Sequence, residues 1–178
     1  MKFYSGKGDN GTSTLFSSGK RILKTDKIFE ALGALDELNS YLGICKSLAQ
    51  EKKIKDVLRE VQEKLFIIQA EIGGAKNIAG ITEKNLMALE KKMDEFCSKV
   101  GIITKFTLAG GTPLSTHLDY ARAICRSAER TFLASRLPLG ARDTLTVAYL
   151  NRISSLLFVL ARYANKKAGV KEDNPKYK

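Results

Sequence analysis

The residues best suited to chemistry are polar groups at helical spacing. Arg122, Arg126 and Glu129 stand at i, i+4 and i+7. At about 100° per residue they share one stripe of a helix. Guanidinium forks match phosphate oxygens in pairs. Asp36, Asn39 and Gly43 form a second stripe. Asn151, Ser155 and Arg162 form a third, with Phe158 between them. Three helices thus carry polar groups at the margin of an apolar face. Together they suit a cleft for an anion, with Asp36 placed to orient an arginine. Taken one helix at a time, each stripe is equally a run of solvated i,i+4 pairs worth ~0.2–0.5 kcal/mol each.

The start of the chain offers a second kind of anion chemistry. Gly6-Lys7-Gly8-Asp9-Asn10-Gly11 fits a GxGxxG string. No strand precedes it and no βαβ unit follows, so it is not a dinucleotide fingerprint. It also lacks the ending of a P-loop. Its glycines still let backbone N–H groups approach a phosphate. Ser5, Thr12, Ser13 and Thr14 add hydroxyls, and Lys7, Lys20, Arg21 and Lys24 add charge. A flexible N-terminal arm explains the same composition equally well.

The elements that position these groups read as helices. Ile28, Leu32, Leu35, Leu38, Leu42 and Cys45 recur at steps of three and four, one helix face. Ile54, Val57, Leu58, Val61, Leu65, Ile68 and Ile72 make a second helix, ended by Gly73-Gly74. Thr82 is a candidate N-cap for a third, with Leu86, Leu89, Met93, Phe96 and Val100 as its face and Gly101 as its stop. Thr112 and Pro113 open a fourth, with Leu118, Ala121, Cys125, Ala128 and Phe132 inward. Pro138 and Gly140 end it. The fifth shows Val147, Leu150, Ser154, Leu157, Ala161 and Ala164. The expectation is an all-α protein, a five-helix bundle with a four-helix-bundle-like core. It divides into an irregular glycine-rich arm over 1–25, the bundle over 26–168, and a polar tail over 169–178 that frays.

Composition narrows the partners. The 178 residues suit one domain with a sizeable core. Thirty Lys and Arg against 19 acidic residues give a net charge of +11, which favours an anionic partner without choosing one. Cys45, Cys97 and Cys125 form no CxxC pair, so free thiols and a cytoplasmic location are expected. Met1 to Ser5 contains no apolar leader core, and no run reaches about 18 uncharged apolar residues, so no membrane span is expected. One histidine, His117, argues against histidine-built metal sites.

Three blocks carry a family resemblance. The first is Gly8-Asp9-Asn10-Gly11-Thr12-Ser13, followed by Gly19-Lys20-Arg21 and Lys24. The second runs from Glu30-Ala31-Leu32-Gly33 to Asp36-Glu37-Leu38-Asn39-Ser40 and Gly43. The third is Ala121-Arg122, Cys125-Arg126 and Ala128-Glu129-Arg130, with Asn151-Arg152-Ile153-Ser154 downstream. In order and spacing the chain resembles the ATP:cob(I)alamin adenosyltransferases of the trimeric, propanediol-utilisation type.

The resemblance implies transfer of the 5′-deoxyadenosyl group of ATP to cob(I)alamin. It implies a homotrimer with active sites between subunits. Ser5, Gly6, Gly8, Asp9, Gly11, Ser13 and Lys24 are then expected at ATP, joined by Arg122, Arg126, Glu129 and Asn151. Asp36 is expected to pair with Arg122 across the interface. Phe106 matches a phenylalanine that the family places under the corrin ring, although by residue type alone it is equally a core phenylalanine. The catalytic set is therefore Phe106, Arg122, Asp36 and Arg126. Mg²⁺ is expected on the ATP phosphates, with cob(I)alamin or cob(II)alamin as co-substrate. A reductase and a B12-dependent acceptor enzyme are the implied protein partners.

Two positions depart from the family's usual pattern. Ser155 occupies a usual aspartate, and Asp119 a usual histidine. Two other readings fit the charge: a non-catalytic helical oligomer that binds nucleotide or cobalamin, and a nucleic-acid module. The latter lacks any reading motif, so no nucleic-acid partner is expected.

Overall fold

The computed structural model describes residues 3–15 and 19–177. Residues 1, 2 and 16–18 of the arm, and residue 178 of the tail, lie outside the described residues. Two short strands and five helices follow one another: β1 (Thr12–Thr14), β2 (Arg21–Leu23), α1 (Lys27–Leu48), α2 (Lys52–Ile72), α3 (Glu83–Val100), α4 (Pro113–Arg136) and α5 (Ala141–Lys167). The helical bundle is as the apolar periodicity predicts.

Local chemistry sets the helix ends. The Asp26 carboxylate accepts from the Ile28 N–H at 2.9 Å and starts α1. Thr82 and Asn85 form a reciprocal capping box on α3. The Thr112 hydroxyl accepts from the Ser115 N–H at 3.1 Å, with Pro113 in the first turn of α4. Gly101, at φ 88°, ends α3 in a backbone conformation that L side chains rarely adopt.

Packing explains where the periodicity was incomplete. The inward row of α1 is Ala31, Leu35, Leu38, Leu42 and Cys45, with Ile28 and Leu32 only partly buried. The sequence suggests one apolar face for α5. In the fold α5 packs against both α4 and α3 and touches α2. It therefore buries Thr146, Tyr149, Ile153, Leu156, Val159, Leu160 and Tyr163 as well as Leu150, Ser154, Leu157 and Ala161 of the expected row, while Val147 and Ala164 are only partly buried. A helix buried on most sides is apolar on most sides. For the same reason α5 is long and apolar enough to cross a bilayer, with mean hydropathy 1.4 over its best window, yet 56% of that window is buried inside the protein.

Two expectations are corrected. The arm is not wholly irregular: β1 and β2 pair antiparallel, with Ser13 opposite Ile22. The tail does not simply fray. Its Asp173 carbonyl accepts from the Leu108 N–H at 2.8 Å, and Asn174 Nδ2 donates to the Phe106 carbonyl at 2.7 Å. Backbone polarity exposed in the loop before α4 gives the polar tail something to bind.

That loop closes tightly on α5. A Cβ on Gly111 would lie 2.3 Å from Asn165 Oδ1, and its φ is +105°. Gly110 also has positive φ, but a Cβ there would meet open space. Gly111→Ala is expected to cost about 2–4 kcal/mol in urea denaturation, and Gly110→Ala clearly less. Equal losses would show that backbone strain, and not the contact with Asn165, fixes the glycine.

Candidate functional site

The arm is ordered by its own side chains. Asn10 Oδ1 accepts from both the N–H (3.2 Å) and the hydroxyl (2.7 Å) of Thr12. Arg21 Nε reaches the Thr12 hydroxyl at 3.0 Å, and its guanidinium also holds the Lys7 carbonyl. Lys24 N–H donates to Gly11 O at 2.9 Å, which folds β2 back over the glycines. The result places Lys24 Nζ 3.2 Å from where a Gly8 Cβ would be. Gly6 and Gly11 sit at φ 67° and 76°. Lys24 Nζ has no ion pair among the described residues. A bare glycine backbone beneath an unpaired ammonium is an arrangement that an anion fits.

On α4, Arg122, Arg126 and Glu129 keep their shared stripe. Arg126 is exposed, Glu129 half-buried, and neither has an ion pair among the described residues. Arg122 Nε is buried without a hydrogen-bond partner. Asp36 is exposed on α1, and within the chain no ion pair joins it to Arg122. Asn39 is buried at the α1–α2 contact, where Gln62 Nε2 donates to its carbonyl at 2.8 Å and its own Oδ1 lacks a partner. Asn151 Oδ1 accepts from Arg152 at 3.2 Å, while Arg152 pairs with Glu90 at 2.7 Å. The Ser155 hydroxyl turns back to the Asn151 carbonyl at 3.4 Å.

The third stripe needs correction. Arg162 does not face a cleft beside Asn151 and Ser155. It is buried and paired with Asp119 at 2.5 Å and with Glu172 at 2.7 Å. Its Nη1 donates to the Thr107 hydroxyl at 2.5 Å, and the guanidinium lies 5.0 Å from the Phe158 ring centroid. Asn165 completes the network, accepting from Thr112 N–H and donating to Gly110 O and to Glu172 at 2.7 Å. Asp119, Asn165 and Glu172 were not among the expected site residues. The signal for two of them was present: Asn165 interrupts the row Leu157–Ala161 one turn further on, and Asp119 begins the Arg122 stripe.

This network holds the loop that carries Phe106. The Phe106 ring is 78% exposed, which removes the core-phenylalanine alternative. Beside it, a cleft of about 360 Å³ opens between loop and tail, lined by Ile102, Lys105, Thr107, Glu172 and Asn174. A larger cleft of about 510 Å³, at the α1–α2 turn and the start of α4, contains none of the expected site residues. The expected residues therefore lie on the arm, on α1, in the loop before α4, and on α4 and α5, and do not line either of these two clefts.

The cysteine thiols are not activated. Burial pushes the Cys45 and Cys125 thiols up to about 12, and burial together with Asp94 also raises Cys97.

A family model described as cobalamin adenosyltransferase matches residues 3–164. The chain belongs to the cobalamin adenosyltransferase family. It is 35% identical over 168 residues to a corrinoid adenosyltransferase of Citrobacter freundii, covering 90% of this chain and 93% of that one. It is 35% identical over 175 residues to a corrinoid adenosyltransferase of Mycobacterium leprae, covering 92% and 91%. Its fold matches a PduO-type ATP:corrinoid adenosyltransferase of Lactobacillus reuteri, a phenylalanine-to-alanine variant complexed with cobalamin and ATP. That match has a TM-score of 0.89 and 28% identity, covering 99% of this chain and 100% of the other. Membership in this family agrees with the three motif blocks.

Inert thiols carry a direct test. At pH 8, iodoacetamide should label Cys45 and Cys125 roughly a thousandfold more slowly in the folded protein than in urea, because the thiolate fraction falls with the raised pKa. Labelling of either at the unfolded rate would refute their burial.

Proposed function

We propose that the chain transfers the 5′-deoxyadenosyl group of ATP to the cobalt of cob(I)alamin. The Co–C5′ bond forms, the C5′–O bond breaks, and triphosphate leaves with the electron pair. The observation that carries this reading is Phe106. A large apolar ring is exposed on a loop whose backbone is fixed, in a chain of this family. An exposed apolar ring on a held backbone suits the face of a flat macrocycle.

Cob(I)alamin is already a strong nucleophile, so no general base is needed. The protein's tasks are positioning ATP and stabilising the leaving charge. Ser5, Gly6, Gly8, Asp9, Gly11, Ser13 and Lys24 are proposed to hold the nucleotide from the arm. Arg122, Arg126, Glu129 and Asn151 are proposed to hold it from the helices, with Arg126 on the triphosphate. Mg²⁺ comes with ATP. The described residues contain no group of three or more His, Cys, Asp or Glu able to cage it. Mg²⁺ needs only one or two protein oxygens when phosphates supply the rest, and Glu129 and Asn151 carry such oxygens.

The unpaired charges support assembly. A buried guanidinium nitrogen without a partner is costly. An Asp36 carboxylate from a second copy would supply a partner to Arg122, and a homotrimer would bring arm and helices of different subunits together. Working in the cytoplasm, such a trimer would take electrons from a reductase and pass its product to a B12-dependent enzyme.

Mixing the protein, MgATP and chemically reduced cob(I)alamin should give the absorbance change of light-sensitive adenosylcobalamin. Binding of either substrate without that product would leave a non-catalytic binder. Phe106→Ala should lower turnover from cob(II)alamin, which needs its lower ligand removed before reduction, at least about tenfold more than turnover from cob(I)alamin. Reversing Asp36 or Arg122 alone should weaken the trimer in analytical ultracentrifugation, and reversing both should restore part of it. Absence of any restoration would remove the pair.

A further inference from the structure

The Phe106 ring makes little use of the core, being 78% exposed. Its position is set by what grips the backbone around it. Asn174 Nδ2 donates to the Phe106 carbonyl at 2.7 Å. The Leu108 N–H donates to the Asp173 carbonyl at 2.8 Å. Between them, the Thr107 hydroxyl accepts from Arg162 at 2.5 Å. Three successive residues are thus held, two by the tail and one by α5.

Arg162 ties these holds together. It is buried, and Asp119 and Glu172 flank it at 2.5 and 2.7 Å. Glu172 belongs to the tail and also accepts from Asn165 at 2.7 Å. Two carboxylates on one buried guanidinium satisfy its charge in a way a single partner would not.

We infer that Asp119, Arg162, Glu172 and Asn174 are positioning residues that fix the height of the Phe106 ring, and that they govern the one-electron reduction of bound cob(II)alamin more than the adenosyl transfer that follows. The inference rests on the reading of Phe106 given above. A wedge works by distance. If the ring recedes, water or the displaced lower ligand returns to the cobalt, and reduction becomes harder. Transfer from preformed cob(I)alamin needs no such exclusion. Misplacement of about 1 Å at a reacting centre costs up to ~10²-fold.

The test uses two tail substitutions in the full chain, Glu172→Gln and Asn174→Ala, with Lys176→Ala as a tail control that touches none of these groups. Each is assayed from cob(II)alamin with a reduced flavin as one-electron donor, and from chemically reduced cob(I)alamin. Glu172→Gln and Asn174→Ala should lower kcat from cob(II)alamin about tenfold or more, and kcat from cob(I)alamin less than about twofold. The KM for MgATP should stay within about twofold, and Tm within about 3 °C. Electron paramagnetic resonance of bound cob(II)alamin with MgATP should show less four-coordinate cobalt. Lys176→Ala should match the unsubstituted protein. Equal losses by both routes, or no loss, while Phe106→Ala still separates them, would overturn the positioning role alone. No separation in Phe106→Ala itself would overturn the wedge reading and this inference with it.

Discussion

The Arg162–Asp119 pair is the constraint on which the site's geometry depends. Both side chains are almost fully buried, at 2% and 4% exposure. Taking two charges out of water costs several kcal/mol per ion, and good geometry with further hydrogen bonds must offset it. Here the offset comes from separate parts of the chain: Asp119 on α4, Thr107 in the loop, and Glu172 in the tail. Removing the buried Asp119 carboxylate would weaken this compensation most, by up to about 3–5 kcal/mol, whereas Glu172 is 21% exposed and its loss is better tolerated. The cost of burial therefore becomes a demand that α4, α5, loop and tail keep one arrangement. A row of leucines would hold the helices together equally well but would not fix a loop's position.

The bundle and the site use their polar groups differently. Inside the fold polar groups are mostly paired, as in the Asn165 network, although Arg162 Nε has an ion partner in Glu172 at 2.7 Å and no hydrogen bond. On the arm, on α1 and on the α4 stripe they are not: Lys24, Asp36, Arg126 and Glu129 have no ion partner among the described residues, and Arg122 Nε lacks a hydrogen bond. Fixed charges left unpaired on a stable scaffold cost stability and suit a ligand or a second subunit. The helices that carry them are anchored by apolar rows fully buried at Leu35, Leu38, Leu42, Leu118 and Cys125.

Helix identity was legible because its signals are local. Three- and four-residue steps marked five helices, and Asp26, Thr82 and Thr112 marked or cap their starts, although only the last two were foreseen. Less legible was the arm hairpin, whose three-residue strands carry too little alternation to read. The breadth of burial on α5 was also hidden, because periodicity reports a face and not how many neighbours cover it.

The sequence by itself determined the helical bundle, the Arg122–Arg126–Glu129 stripe, the glycine-rich make-up of the arm and the family. Each depends on residue type at short spacing along one chain segment. Only the tertiary structure decided that Arg162 is a buried anchor between loop and tail and does not join the Asn151 and Ser155 stripe, that the polar tail is a strap, and that Phe106 is exposed and not core. Those outcomes depend on partners 43 to 68 residues apart in sequence. A charge's role is set by what packs around it, and no helical wheel contains the other side of the contact.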